Sequence, residues 1–81
     1  MNKKYKSDFI KKLEDIKVRG KSDLYNKVYV SMSAIQQGAL KGDIKNGTFQ
    51  IRDINFTQNL KIKFCFYNNE LYFWDILNYD I

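Results

Sequence analysis

Residues 60–66 read Leu60-Lys61-Ile62-Lys63-Phe64-Cys65-Phe66, four apolar side chains separated by Lys, Lys and Cys. Successive side chains of a strand point to opposite faces, so Leu60, Ile62, Phe64 and Phe66 share one face and Lys61, Lys63, Cys65 and Tyr67 the other. A strand apolar on one side needs flanking strands and a layer over that side. The neighbouring sequence offers both. Upstream, the Asn46-Gly47 turn leads into Thr48-Phe49-Gln50-Ile51-Arg52-Asp53-Ile54, rich in β-branched and aromatic residues, and a turn at Thr57-Gln58-Asn59 follows. Downstream, Asn68-Asn69 is a second hairpin signal before Leu71-Tyr72-Phe73-Trp74-Asp75-Ile76-Leu77. That last run is apolar on both faces, which predicts a central strand or one covered twice.

The covering layer is predicted from the first half of the chain. Ser7-Asp8 is a helix start signal, after which Phe9, Ile10, Leu13, Ile16 and Val18 recur at helical spacing until Gly20. Ser22-Asp23 starts a second stripe of Leu24, Val28, Met32, Ile35 and Ala39, which Gly42 can stop. Val28 to Ser33 also alternates as a strand would, and the helical reading is preferred for its longer stripe. The fold expected is α+β: a helical hairpin over about 7–41, packed on one face of a three- to four-stranded antiparallel sheet whose meander covers about 47–78. Eighty-one residues without Pro, repeat or linker make one domain, 1–81.

Composition removes several functions. There is no His and a single Cys65, which excludes an internal disulfide, Ser-His or Cys-His nucleophile systems and a zinc centre built within one chain. No cofactor is implied. No apolar run reaches the ~18–20 residues of a membrane span, and no apolar block follows the basic start, so a cytoplasmic protein with no membrane partner is expected. The net charge of +5 is unevenly placed: residues 1–21 hold eight cations and three anions, while 68–81 hold Glu70, Asp75 and Asp80 and no cation. Clustered cations suit a polyanion such as nucleic acid. Lys outnumbers Arg twelve to two, so the codon bias of an AT-rich gene accounts for the excess equally well.

Candidate site residues follow from the face of the sheet that the helices leave open. With Phe49 and Ile51 facing the helices, Gln50 and Arg52 fall on the open side beside Lys61, Lys63 and Tyr67. Tyr72 and Trp74 join them if their parity matches, giving a basic, aromatic surface that can bind phosphate and stack bases. The plainer readings are a lysine-rich solvated face, a Trp74 buried in the core, an inert Cys65, and Asp53 and Asp75 neutralising Arg52 and Lys61.

Three segments then carry a family resemblance. Leu40-Lys41-Gly42-Asp43, Gly47-Thr48-Phe49-Gln50-Ile51-Arg52 and Leu60 to Phe66, followed by the apolar strand Leu71 to Leu77, resemble the RelE/ParE toxin superfamily, in particular its HigB-like branch. The resemblance covers residues 40–77, and the helical hairpin matches in type. It implies a ribosome-associated mRNA endoribonuclease of a toxin–antitoxin system that inhibits translation without a metal, with a cognate antitoxin, mRNA and the ribosome as partners. In such chemistry the 2′-hydroxyl attacks the adjacent phosphate, an acid protonates the leaving 5′-oxygen and cations stabilise the charge on phosphorus. By motif position Arg52 and Lys61 take the catalytic basic places, and Tyr79 is the acid or stacking group left near the end. Gln50, Lys63, Lys41 and Lys45 are the expected RNA contacts. Family members end in a basic segment after a last strand and carry a short strand before the first helix. Here the end is Asn78-Tyr79-Asp80-Ile81, and Met1 to Lys6 offers only Tyr5 as an anchor. The alternatives are a small non-catalytic phage or mobile-element protein that inhibits a host enzyme or defence complex by binding, and a ParE-like gyrase inhibitor.

Overall fold

The computed structural model describes residues 1–81. The elements run β1 (Asn2–Tyr5), α1 (Ser7–Val18), α2 (Ser22–Lys41), β2 (Phe49–Asp53), β3 (Lys61–Tyr67) and β4 (Glu70–Leu77). The fold is α+β, two helices on a four-stranded sheet in the order β1-β4-β3-β2. β2, β3 and β4 are the expected antiparallel meander, with Phe64 opposite Gln50 on one side and Phe73 on the other. The sheet as a whole is mixed, because β1 pairs parallel to β4 from Asn2↔Glu70 to Tyr5↔Phe73. A four-residue strand with every residue exposed leaves no alternation to read. It is held by backbone hydrogen bonds and by the Tyr5 ring, stacked on Phe73 at 5.6 Å and 12°. β4 is central, as its two apolar faces require.

The α2 stripe folds inward as read, with Val28, Met32, Ile35 and Ala39 buried. The hydrogen-bonded period of α2 prevails over the local strand-like alternation because every fourth residue reaches the core. On α1, Phe9 and Ile16 are buried and Ile10 and Val18 are not, so its contact stripe is narrower than its apolar content. Ser7 and Ser22 are first helical residues rather than caps: Lys6 and Lys21 hold the cap positions without a side-chain hydrogen bond. One core joins Phe9 and Ile16 of α1 and Val28, Met32 and Ile35 of α2 to Ile62, Phe64, Leu71, Phe73 and Ile76 of the sheet. No helix is long and apolar enough to cross a membrane.

Two local features shape the molecular surface. Gly42 ends α2 with φ 80°, its N–H donating to the Ala39 carbonyl and that of Asp43 to the Gly38 carbonyl. This left-handed turn needs glycine and folds the chain back, so that Ile44 packs on Gly38, where a Cβ would meet its side chain at 3.2 Å. On β4, Leu71, Phe73 and Ile76 are all buried, a spacing of two and then three. The register shift between Lys63 and Phe64, whose partners are Asp75 and Phe73, makes Trp74 the extra residue of a bulge. Trp74 is half-covered rather than a core residue.

A candidate RNA-binding groove at the edge strand

Cross-strand partners point to the same side of a sheet, and Gln50 and Arg52 pair with Phe64 and Ile62, both buried under the helices. Gln50 and Arg52 therefore lie on the helix side. Phe49 and Ile51 lie on the open face, 49% and 57% exposed, which reverses the expected parity of β2. The physical reason is coverage. The helical hairpin lies over the inner strands and stops short of the edge strand, so the helix side of β2 borders a groove in which polar side chains remain solvated. Its apolar side chains find a partner on the other face, where Phe49 meets Trp74 edge-on at 4.7 Å and 78°. The sequence held a signal for this: Ile54 is buried and shares parity with Gln50 and Arg52, so the apolar residues 49, 51 and 54 cannot all face inward.

The groove has a volume of about 610 Å³ and runs between the C-terminal half of α2 and β2. Gln37, Lys41, Asp43, Gln50 and Arg52 supply its polar groups, with Ile35, Ile44 and Phe64 among its apolar walls. The Gln50 amide donates to the Lys45 carbonyl at 2.9 Å, tying β2 to the loop after α2. Lys41 sits in the last turn of α2, where the helix carbonyls favour a cation. Lys41 and Arg52 are exposed and neither makes an ion pair or a side-chain hydrogen bond, so both are free to receive an anion. Arg52 offers a planar fork suited to phosphate, and Lys41 a point charge.

Of the seven expected site residues the groove thus gathers Lys41, Gln50 and Arg52, with Lys45 attached through its backbone. The other three lie elsewhere. Lys61 is on the open face, paired with the carboxylate of Asp53, as one of the plainer readings had it. Lys63 is also on the open face, its ammonium 4.5 Å from the Phe49 ring centre. The expected cluster of Arg52 with Lys61 and Lys63 is therefore split between the two sides of the sheet. Asp75 pairs not with Lys61 but with Lys12 of α1 at 2.8 Å, and Lys12 also donates to the Ile76 carbonyl at 2.9 Å. No three His, Cys, Asp or Glu side chains cluster in a way that could hold a metal ion.

Tyr79 is buried beneath the end of α1 rather than presented to a substrate. Its hydroxyl donates to Asp15 at 2.6 Å, and Arg19 holds the same carboxylate at 3.1 Å. The Tyr79 hydrogen bond keeps the Asp15 carboxyl below its usual range, aided by Arg19 and opposed by burial. Burial and then this bond push the Tyr79 phenol up. A depressed carboxylate adds stability that is present above its unfolded pKa, ~3.9, and is lost as pH falls through the folded value. Tyr79→Phe is accordingly expected to lower the melting temperature by several degrees at neutral pH, the deficit closing in acid as Asp15 is protonated in both proteins. Thermal melts of the two proteins from about pH 7 down to about pH 2, well below the ordinary carboxylate range, check this. A deficit that persists unchanged at the acid end would show that the hydroxyl acts independently of the Asp15 charge, and no deficit at any pH would show that Tyr79 acts through packing alone.

Scans against protein-family models, curated proteins and solved structures return no match to this chain.

Proposed function

We propose that this chain is a RelE/HigB-type protein that silences translation by holding single-stranded messenger RNA, with a backbone phosphate in the α2–β2 groove between Lys41 and Arg52. The observation carrying this reading is the convergence on one solvent-open groove of Arg52, expected from motif position, with Lys41 and Gln50, two of the expected RNA contacts. Two unpartnered cations beside a polar amide match the donors that a phosphodiester accepts. The element order supports the family resemblance further, since β1 is the short strand that such proteins carry before the first helix. The antitoxin and the ribosome enter this reading as partners through that resemblance.

The reading is of holding rather than cutting. Cleavage by the 2′-hydroxyl requires an acid beside the departing 5′-oxygen. Lys61 and Tyr79 both lie outside the groove, and the Tyr79 proton is committed to Asp15. Induction of the protein in a bacterial host is expected to stop protein synthesis before growth slows, without new messenger ends bearing 2′,3′-cyclic phosphate. Arg52→Ala is expected to relieve the arrest. A harmless wild type, or an Arg52→Ala protein that arrests growth equally, would sink the reading.

A further inference from the structure

The face of the sheet turned away from the helices remains uncovered, and its charges are not all paired. Lys4 faces Glu70 at 4.0 Å and Lys61 is paired with Asp53. Lys6 and Lys63 have no carboxylate partner. Instead each lies on an aromatic ring, Lys6 at 4.8 Å from the centre of Trp74 and Lys63 at 4.5 Å from that of Phe49. The two rings touch each other, so the uncompensated positive charge of this face is concentrated on one pair of aromatics. An occupant must then be anionic and also present flat apolar surface at short intervals. Single-stranded RNA carries both in every nucleotide, phosphate for the ammonium groups and a base for the rings.

We infer that Phe49 and Trp74 form a base-stacking platform, flanked by Lys6 and Lys63, for the same RNA strand whose phosphate the groove holds. The inference rests on the RNA reading of the groove. β2 connects the two surfaces: Arg52 faces the groove, Phe49 the platform, and Ile51 is exposed on the platform side while also lining the groove. β2 is an edge strand with no neighbour beyond it, so a chain can pass around it from one side to the other. An ammonium lying on an exposed ring is a weak contact, readily given up for a phosphate.

Trp74 is the only tryptophan and reports on this face directly. Titration with a decamer of uridylate is expected to quench its fluorescence, whereas inorganic polyphosphate of matching charge binds without comparable quenching. Phe49→Ala, at a half-exposed edge position, is expected to weaken decamer binding roughly tenfold, the scale of one lost base stack. Lys63→Gln, which keeps an uncharged chain over the ring, is expected to weaken it less and to lower its salt dependence. Arg52→Ala is expected to weaken binding while leaving the quench at saturation intact. Decamer binding that leaves Trp74 emission unchanged, or an unaltered affinity in Phe49→Ala, would overturn the platform and leave the groove reading standing. Polyglutamate that quenches as strongly as the decamer would overturn it too, in favour of an acidic protein on this face. Failure of the wild type to bind the decamer at all would remove the groove reading and the platform together.

Discussion

Phe73→Ala is expected to remove a large share of the protein's folding stability. Phe73 has no exposed surface, and its ring packs in a triangle with Tyr5 of β1 and Phe9 of α1, at 5.6 and 5.5 Å from them, with 6.3 Å between the other two. Truncating a buried Phe costs about 3–5 kcal/mol, through lost transfer energy and the cavity left behind. A chain of this length has a total stability of roughly 4–12 kcal/mol. The loss is concentrated where β1 joins the sheet, because the Phe73 carbonyl also accepts from the Lys6 N–H that leads into α1. A fall in melting temperature of roughly 12–40 °C follows at 4–8 °C per kcal/mol. Tyr5→Ala, at a partly exposed ring on the same stack, is expected to cost much less and to loosen β1 alone. Calorimetry of the three proteins decides the point. A Phe73→Ala melting temperature within about 5 °C of wild type would mean that the stack does not carry the core.

The positions of five elements were legible because their cues were local. The Phe64 alternation, the Asn-Gly and Asn-Asn turns, and the i, i+4 stripe from Leu24 to Ala39 each act within a few residues. What stayed hidden depends on partners distant in sequence. The pairing of β1 rests on backbone hydrogen bonds to β4 and on Tyr5 meeting Phe73, across 68 residues. The role of Tyr79 depends on Asp15, 64 residues away. The facing of β2 is hidden because an edge strand can leave its apolar side half-exposed on the open face, with only Phe49 meeting a partner there, instead of turning it to the helices. Trp74 supplies that partner by alternation after Leu71 and Phe73, while the bulge there returns Ile76 to the core, and nothing in Leu71 to Leu77 marks a bulge except the two-then-three spacing of its buried residues. The candidate site was legible by residue and not by grouping. Arg52, Gln50 and Lys41 were found, and their true neighbours emerged from the turn at Gly42 and from the reach of α2.

The second large effect concerns these cations. Lys41→Glu with Arg52→Glu is expected to weaken binding of a uridylate decamer on the order of 100-fold at low salt. Neither residue has a side-chain partner, so the fold loses no ion pair or hydrogen bond, and the cost to stability is confined to an anion in the last turn of α2, about 0.3–1 kcal/mol. Each exchange replaces an attraction for phosphate by a repulsion. At about 4 Å a single pair of charges is worth ~1 kcal/mol in bulk water and up to ~4 kcal/mol near a protein surface, and two reversals on that scale make a few kcal/mol. Tenfold in affinity corresponds to about 1.4 kcal/mol. Counterion release gives a second signature. Each phosphate contact with a single strand contributes about 0.7 to the slope of log affinity against log salt, so losing two lowers that slope by about 1.4.

The measurement that tests the central claim must separate the groove from the general charge of the molecule, because residues 1–21 carry an excess equal to the whole net charge of +5. Lys11→Glu with Lys17→Glu on α1 alters the net charge by the same amount, at exposed positions away from the groove. Decamer affinity is therefore to be measured across a salt series for wild type and both double variants. The account predicts a loss of about two orders of magnitude and a shallower slope for the groove pair, with the α1 pair within a few fold of wild type and its slope nearly unchanged. Equal losses in the two double variants would contradict it, showing that RNA is drawn by overall charge and not held between Lys41 and Arg52.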